Sequence, residues 1–151
     1  MKKTTYLACA LALAFATWPL ARTGAAPRCH PTNRFVVLPG GLVRDTLTKL
    51  VWQQQASATK MTWADAQTYC SSAGSGFRLP TVKELRSIVD LTVSYPGPTI
   101  DQTAFPNTPA TSFWTSSPYA GSSGRAWYVN FYDGYSAFYD VGYSDYVRCV
   151  R

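Results

Sequence analysis

With 151 residues, 46% of them hydrophobic and 15% aromatic against 15% charged, the chain has the means to pack one core of single-domain size. Its net charge of +6 comes from scattered Lys and Arg, with no stripe of the kind that tracks phosphates, which argues against a nucleic-acid partner. One histidine, His30, and cysteines without paired spacing argue against a metal site.

The chain opens with MKKTTY, continues with LACALALAFATWPLA and leaves through ARTGAAP. A basic start, a short apolar run and a small-residue exit have the layout of a secretory signal peptide. Thr23 and Ala25 suit the −3 and −1 positions, which places cleavage after Ala25. The run is too short to span a bilayer comfortably, and Pro19 and Arg22 interrupt its end. Residues 1–25 are therefore expected to be a signal peptide, 26–33 an N-terminal extension and 34–151 one folded domain. Removing Lys2, Lys3 and Arg22 with the signal peptide leaves eleven basic against 8 acidic residues. No later stretch reads as a membrane span, so the mature protein is expected to be secreted, periplasmic or cell-surface.

The domain begins with strand composition. RFVVL (34–38) leads to the turn signal Pro39-Gly40-Gly41, then LVRD (42–45) and LVWQQ (50–54) suggest a three-strand meander. TWADAQTYCSSAG predicts a helix over about 63–73. Thr62 caps it, Asp65 stands at N3 and Gly74 supplies a left-handed exit. Trp63, Ala66, Tyr69, Cys70 and Ala73 fall on its inner face. RLPTVKELRSIVDL repeats this logic. Thr81 and Glu84 form a T-x-x-E capping box, and Val82, Leu85, Ile88 and Val89 make the buried face. Glu84 is read as a cap, not a catalytic acid.

Residues 92–112 lack periodicity and predict a long loop anchored by Ile100 and Phe105. FWTSS (113–117) and AWYVNF (126–131) read as strands joined by AGSSG. The near-repeat FYDGYSAFYDVGYSDY (131–146) suggests a strand pair with Phe131, Phe138 and Val141 inward. VRCVR closes the chain as an expected last strand, with Val147, Cys149 and Arg151 opposite in face to Arg148 and Val150. Trp52, Trp63, Trp114 and Trp127 are expected to form the aromatic centre.

Three cysteines follow residue 25: Cys29, Cys70 and Cys149. An oxidising compartment favours one disulfide. Cys70 and Cys149 lie in ordered apolar flanks, and Cys29 lies in the aperiodic APRCHPTN, so Cys70–Cys149 is the expected pair.

The order GLVRDTLTKLVWQ, MTWADAQTYC, FRLPTVKELRSIVD, FWTSS, AWYVNFYDG and VRCVR resembles the Lcl C-terminal domain family of bacterial exported proteins. The resemblance covers about residues 34–151, with RLPT-x-x-EL and VRCVR its most specific parts. It implies an α+β, C-type-lectin-like fold, with two helices packed on a small, mostly antiparallel, twisted sheet and a long loop region. It also implies the same Cys70–Cys149 link, and adhesion or ligand display outside the cell without an established reaction. The Glu-Pro-Asn or Gln-Pro-Asp and Trp-Asn-Asp motifs of calcium-dependent sugar binding do not occur. No acidic cluster suits calcium and no cofactor is implied.

The repeat holds five tyrosines in sixteen residues. A small core cannot satisfy so many hydroxyls and carboxylates, and a disordered tail would not lead into a disulfide-bonded segment. Tyr, Ser, Gly and Asp together match the composition of antibody paratopes, where tyrosine gives contact area with few torsions to freeze. The candidate ligand-binding residues are therefore Tyr132, Asp133, Tyr135, Tyr139, Asp140, Tyr143, Asp145 and Tyr146. The partner is expected to be an extracellular protein or glycan. One alternative is a variable receptor diversified by a retroelement, whose adenine-directed changes yield residues of these types. Another is a hydrolase using Asp90, Asp101 or Asp133 as paired carboxylates. No Ser-His-Asp or other convincing catalytic set is present, so a non-catalytic binding module is the favoured reading.

Overall fold

The computed structural model describes residues 33–151. The expected signal peptide, most of the expected extension, Cys29 and His30 lie outside the described residues. Eight elements follow in order. They are β1 (Phe35–Leu38), β2 (Leu42–Asp45), β3 (Val51–Gln53), α1 (Trp63–Ser72), α2 (Val82–Ser87), β4 (Ser112–Pro118), β5 (Arg125–Asn130) and β6 (Ser136–Asp140). The strands divide into two antiparallel three-stranded sheets, β1-β2-β3 and β4-β5-β6, where a single small sheet was expected. The α+β arrangement of two helices, small antiparallel sheets and a long loop region is otherwise as the resemblance implies.

Local chemistry explains most element boundaries. Gly40 and Gly41 have φ of 80° and 70°, which turns β1 into β2 where a side chain would be strained. Asp45 ends β2 and receives Arg34 through two hydrogen bonds, of 3.0 and 2.6 Å, in a buried ion pair. Burial alone would raise the Asp45 pKa, but Arg34, the Leu47 amide and Thr48 hold it below the usual carboxylate value. The Thr62 hydroxyl accepts from the Asp65 amide to start α1. Thr81 and Glu84 complete the capping box of α2, and Arg78 grips both Glu84 oxygens at 2.8 and 2.6 Å. Those Arg78 bonds lead the causes that pull the Glu84 pKa down to about 2.

Two clusters fill the interior. One joins Val43, Trp52, Leu85, Ile88, Ile100, Phe105, Phe113, Val129, Phe131 and Val150. The other joins Ala66, Cys70, Leu79, Trp114, Ala126, Val147 and Cys149 around the Cys70–Cys149 disulfide. Ile100 and Phe105 anchor the long loop as expected, and Trp52 and Trp114 are fully buried. Trp63 is only half-buried and Tyr69 is exposed, because α1 buries just the narrow stripe of Ala66 and Cys70; Trp127, on β5, is also only half-buried.

The end of the chain departs from expectation. Residues 147–151 form no strand of their own; Val147, Arg148, Cys149 and Val150 are all buried, with elements covering both sides. Val150 bridges Trp52 on one side and Arg78 on the other. The Arg148 guanidinium donates to the carbonyls of Gln53 and Gln54 and to Thr108 Oγ1, and lies 4.8 Å from the Phe105 ring. Burial lowers its pKa to about 9, so it stays cationic at neutral pH.

Three stability outcomes follow. Cys70→Ala should lose about 4 kcal/mol, because the bond closes a loop of 79 residues in the unfolded chain. Thr81→Ala should lose about 1 kcal/mol through its cap. Urea unfolding of both variants against the parent checks these values.

Asp145 supplies the third. It is buried, with Oδ2 unpartnered and Oδ1 3.9 Å from Lys60 Nζ. Burial, opposed by Lys60, pushes its pKa up to about 6. The folded state then holds a proton that the unfolded chain releases near pH 4, so Asp145 makes stability fall as pH rises from about 4 to 6. Glu84 acts in the opposite sense at lower pH; its stabilisation is lost as pH falls from about 4.5 towards 2. Asp145→Asn should remove the first slope and leave the protein up to about 3 kcal/mol more stable at pH 7. Melts at pH 4, 5, 6 and 7 test this. A difference between variant and parent that does not widen with pH would overturn it.

Candidate functional site

The repeated sequence builds the same device twice. Phe131 is fully buried against Phe113, with ring centroids 5.1 Å apart, which fixes the start of the stretch; such burial stabilises by about 2–3 kcal/mol. Asp133 Oδ1 then accepts the Tyr135 amide at 3.0 Å, and Gly134 turns the chain with φ of 78°. A Cβ on Gly134 would also stand 2.6 Å from Leu91 Cδ2. After β6, Asp140 Oδ1 accepts the Gly142 amide at 2.7 Å and turns the chain again. Each aspartate caps its own turn in the manner of an Asx turn and throws a tyrosine outward. Extended backbone therefore persists only over Ser136–Asp140, and the expected strand pair is one strand between two turns.

One face of the second sheet carries the tyrosines. Trp114, Tyr128 and Ala137 lie in register across the three strands, and Tyr139 pairs with Ala126 beside them. The Tyr139 ring centroid is 4.9 Å from Trp114 and 4.4 Å from Tyr128. Tyr143 meets Tyr139 edge-on at 5.3 Å. The aromatics thus step from the buried Trp114, through half-buried Tyr139, to Tyr143, which is 65% exposed. Tyr135 is 64% exposed, and Asp133 and Asp140 are exposed. Asp140, Gly142 and Tyr143 line an open hollow of about 310 Å³.

Tyr132 stands apart with a partner from the long loop. Its hydroxyl donates to that of Tyr95 at 2.9 Å, and the rings meet at 4.8 Å. That hydrogen bond is the leading cause raising the Tyr132 pKa. Gly97 N donates to Tyr132 O at 2.8 Å and Thr99 N to Phe131 O at 2.7 Å, which ties the loop to the turn. Only glycine allows this approach, since a Cβ at position 97 would sit 2.3 Å from the Phe131 carbonyl oxygen.

Two expected members leave the exposed face. Asp145 is 3% exposed because its backbone bonds to Met61 in both directions and draws it inward. Tyr146 is half-buried against the first core cluster, with its ring 5.8 Å from Phe113. Phe138, expected inward, lies on the other face of the sheet in a half-buried group with Trp127 and Tyr119; its ring stacks on Tyr119 at 3.6 Å. Two contributors lie outside the repeat. Tyr95 falls in an aperiodic loop that gives no signal. Tyr128 was legible in AWYVNF, where it alternates with Trp127 and Val129.

The carboxylates suggested for hydrolysis serve as turn caps. Asp90 accepts from Thr92, Asp101 from the amides of Thr103 and Ala104, and Asp133 from Tyr135. Among the described residues no three His, Cys, Asp or Glu side chains gather as metal ligands. Among the same residues, no helix is long and apolar enough to cross a membrane.

Comparison with known proteins gives a family. No curated protein matches the sequence. Among solved structures the chain is similar to botrocetin, with 8% identity and a TM-score of 0.46 over 81% of this chain and 98% of that one. It is also similar to rhodocetin, with 12% identity and a TM-score of 0.42 over 81% and 97%. The family model of the Lcl C-terminal domain matches residues 41–151. The chain belongs to the Lcl C-terminal domain family.

Proposed function

We propose that the protein is an exported, non-catalytic binding module that presents the tyrosine face of its second sheet to a protein or glycan outside the cell. Residues 1–25 act as its signal peptide, 26–33 as a short extension and 34–151 as the binding domain. The observation that carries the reading is the pairing of exposure with rigid support. Tyr135 and Tyr143 are about two-thirds exposed, while Phe131 and Val147 on either side of the stretch are fully buried. Large apolar rings held in water on a rigid mount lose little entropy on binding, and a few of them then supply most of the affinity. The Cys70–Cys149 disulfide suits an oxidising compartment.

Alanine substitutions separate binding from folding. Tyr135→Ala with Tyr143→Ala should leave stability within about 0.5 kcal/mol of the parent, as exposed positions do. The same pair should weaken attachment in a glycan-array and whole-cell binding screen of the full chain at least tenfold. Tyr139→Ala and Tyr146→Ala should instead cost about 1–3 kcal/mol, since both rings pack on core aromatics. Retained binding in the Tyr135/Tyr143 double variant would move the function away from this face.

A further inference from the structure

We propose that the tyrosine face takes a basic polypeptide segment, whose Lys or Arg side chains lie over the tyrosine rings beside the carboxylates of Asp133 and Asp140. This rests on the binding role proposed above and names the class of its partner. The first support is a break in charge. From Ala126 to Val147 there is no Lys or Arg, yet three of the chain's 8 acids fall there, in a protein of positive net charge.

Geometry makes those acids available. Asp133 and Asp140 each use Oδ1 to hold a turn, and neither makes a second side-chain hydrogen bond or an ion pair among the described residues. Each therefore keeps a charged oxygen in water beside an exposed tyrosine. Asp145 adds a third negative group beneath, buried and with Oδ2 unpartnered. Burial first, and then the nearby Asp145, Tyr135 and Asp133, push the Tyr128 hydroxyl above its usual range, so these groups bear on the centre of the face.

A lysine of the chain itself already shows the chemistry. Lys60 Nζ lies 5.6 Å from the centre of the Tyr146 ring and 3.9 Å from Asp145 Oδ1. It is a cation held between a tyrosine ring and an aspartate, two residues that the fold draws off the exposed face. Aromatic faces attract ammonium and guanidinium groups through their quadrupole, and carboxylates add direct charge. The Tyr143–Asp140 and Tyr135–Asp133 pairs offer the same combination with no ion pair at either carboxylate among the described residues; Arg125, opposite Asp140 in the β5–β6 register, lies over the Phe138 ring instead. An acidic glycan would meet repulsion here, and a neutral one would gain hydrogen bonds from the carboxylates without the charge attraction a basic segment gains.

The test uses the full chain and fluorescein-labelled 12-residue Gly/Ser peptides carrying either four Lys and Arg or four Glu, alongside neutral and uronic-acid glycans. Basic peptides should bind at least tenfold tighter than acidic ones. Asp133→Asn with Asp140→Asn keeps both turn-capping oxygens and removes the charge; it should retain the parent melting temperature and lose at least tenfold in basic-peptide affinity. Tyr143→Ala should lose a similar factor, and Asp65→Asn, an exposed acid on α1, should change nothing. Tyrosine-dependent binding of a glycan or acidic peptide, unaffected by the double Asn variant, would overturn the charge proposal and leave the binding face standing. Basic-peptide binding that ignores Tyr143→Ala, or falls equally with Asp65→Asn, would reduce it to general charge attraction and overturn it. Failure of every basic peptide to bind would also overturn it.

Discussion

The last seven residues hold the domain together. Asp145 exchanges backbone hydrogen bonds with Met61, Val150 with Arg78 and Arg151 with Val51. Between them, Tyr146 O accepts from Trp114, Val147 O from Ser57 and Cys149 O from Gln53. One short segment thus touches β3, the approach to α1, the approach to α2 and β4. Cys149 adds a covalent tie to α1, and Arg148 ties β3 to the long loop through Thr108. A three-stranded sheet reaches independent stability only by covering a hydrophobic face. The closing segment serves both core clusters, with Val150 in one and Val147 and Cys149 in the other.

That constraint also sets where the binding face can lie. The stretch before it leaves the core at Phe131 and must return by Val147, so the residues between have fixed ends. Within that span the carboxylates of Asp133 and Asp140 fix the turns, and the long loop braces the first turn through Gly97 and Thr99. The exposed rings stand on a surface with few torsions left to freeze. Two different cost structures therefore sit side by side: Tyr139 and Tyr146 belong to packing, and Tyr135 and Tyr143 stand clear of it.

Features governed by neighbouring residues were legible in the sequence. The capping box at Thr81 and Glu84, the Gly40-Gly41 turn and the first meander depend on contacts a few residues apart. The cysteine pair was legible because flanking order distinguishes Cys70 and Cys149 from Cys29. Features governed by distant partners were not. Alternation set Arg148 and Val150 on the face opposite Val147 and Cys149, but it distinguishes buried from exposed only where one side of a strand meets water, and here both sides are covered. Asp145 reads as one more surface acid until its backbone is seen bonded to Met61. Tyr69 follows the helical wheel inward, yet α1 has no partner wide enough to cover it. Composition pointed to exposure across the tyrosine-rich stretch, which holds at Tyr132, Tyr135 and Tyr143 and fails at Asp145 and Tyr146; its division into turn, strand and turn required knowing which atoms Asp133 and Asp140 engage.

The aromatic steps from Tyr143 to Tyr139 to Trp114 have an optical consequence. Tyrosine emission overlaps indole absorption, and rings about 5 Å apart exchange excitation far faster than they radiate. Light absorbed at the exposed rings should therefore drain into Trp114, which is shielded from water by its burial and held by its bond to the Met61 carbonyl. A guest that perturbs Tyr143 would alter the supply of energy to an emitter it never touches. Tyr143 is thereby coupled, through Tyr139, to a buried indole.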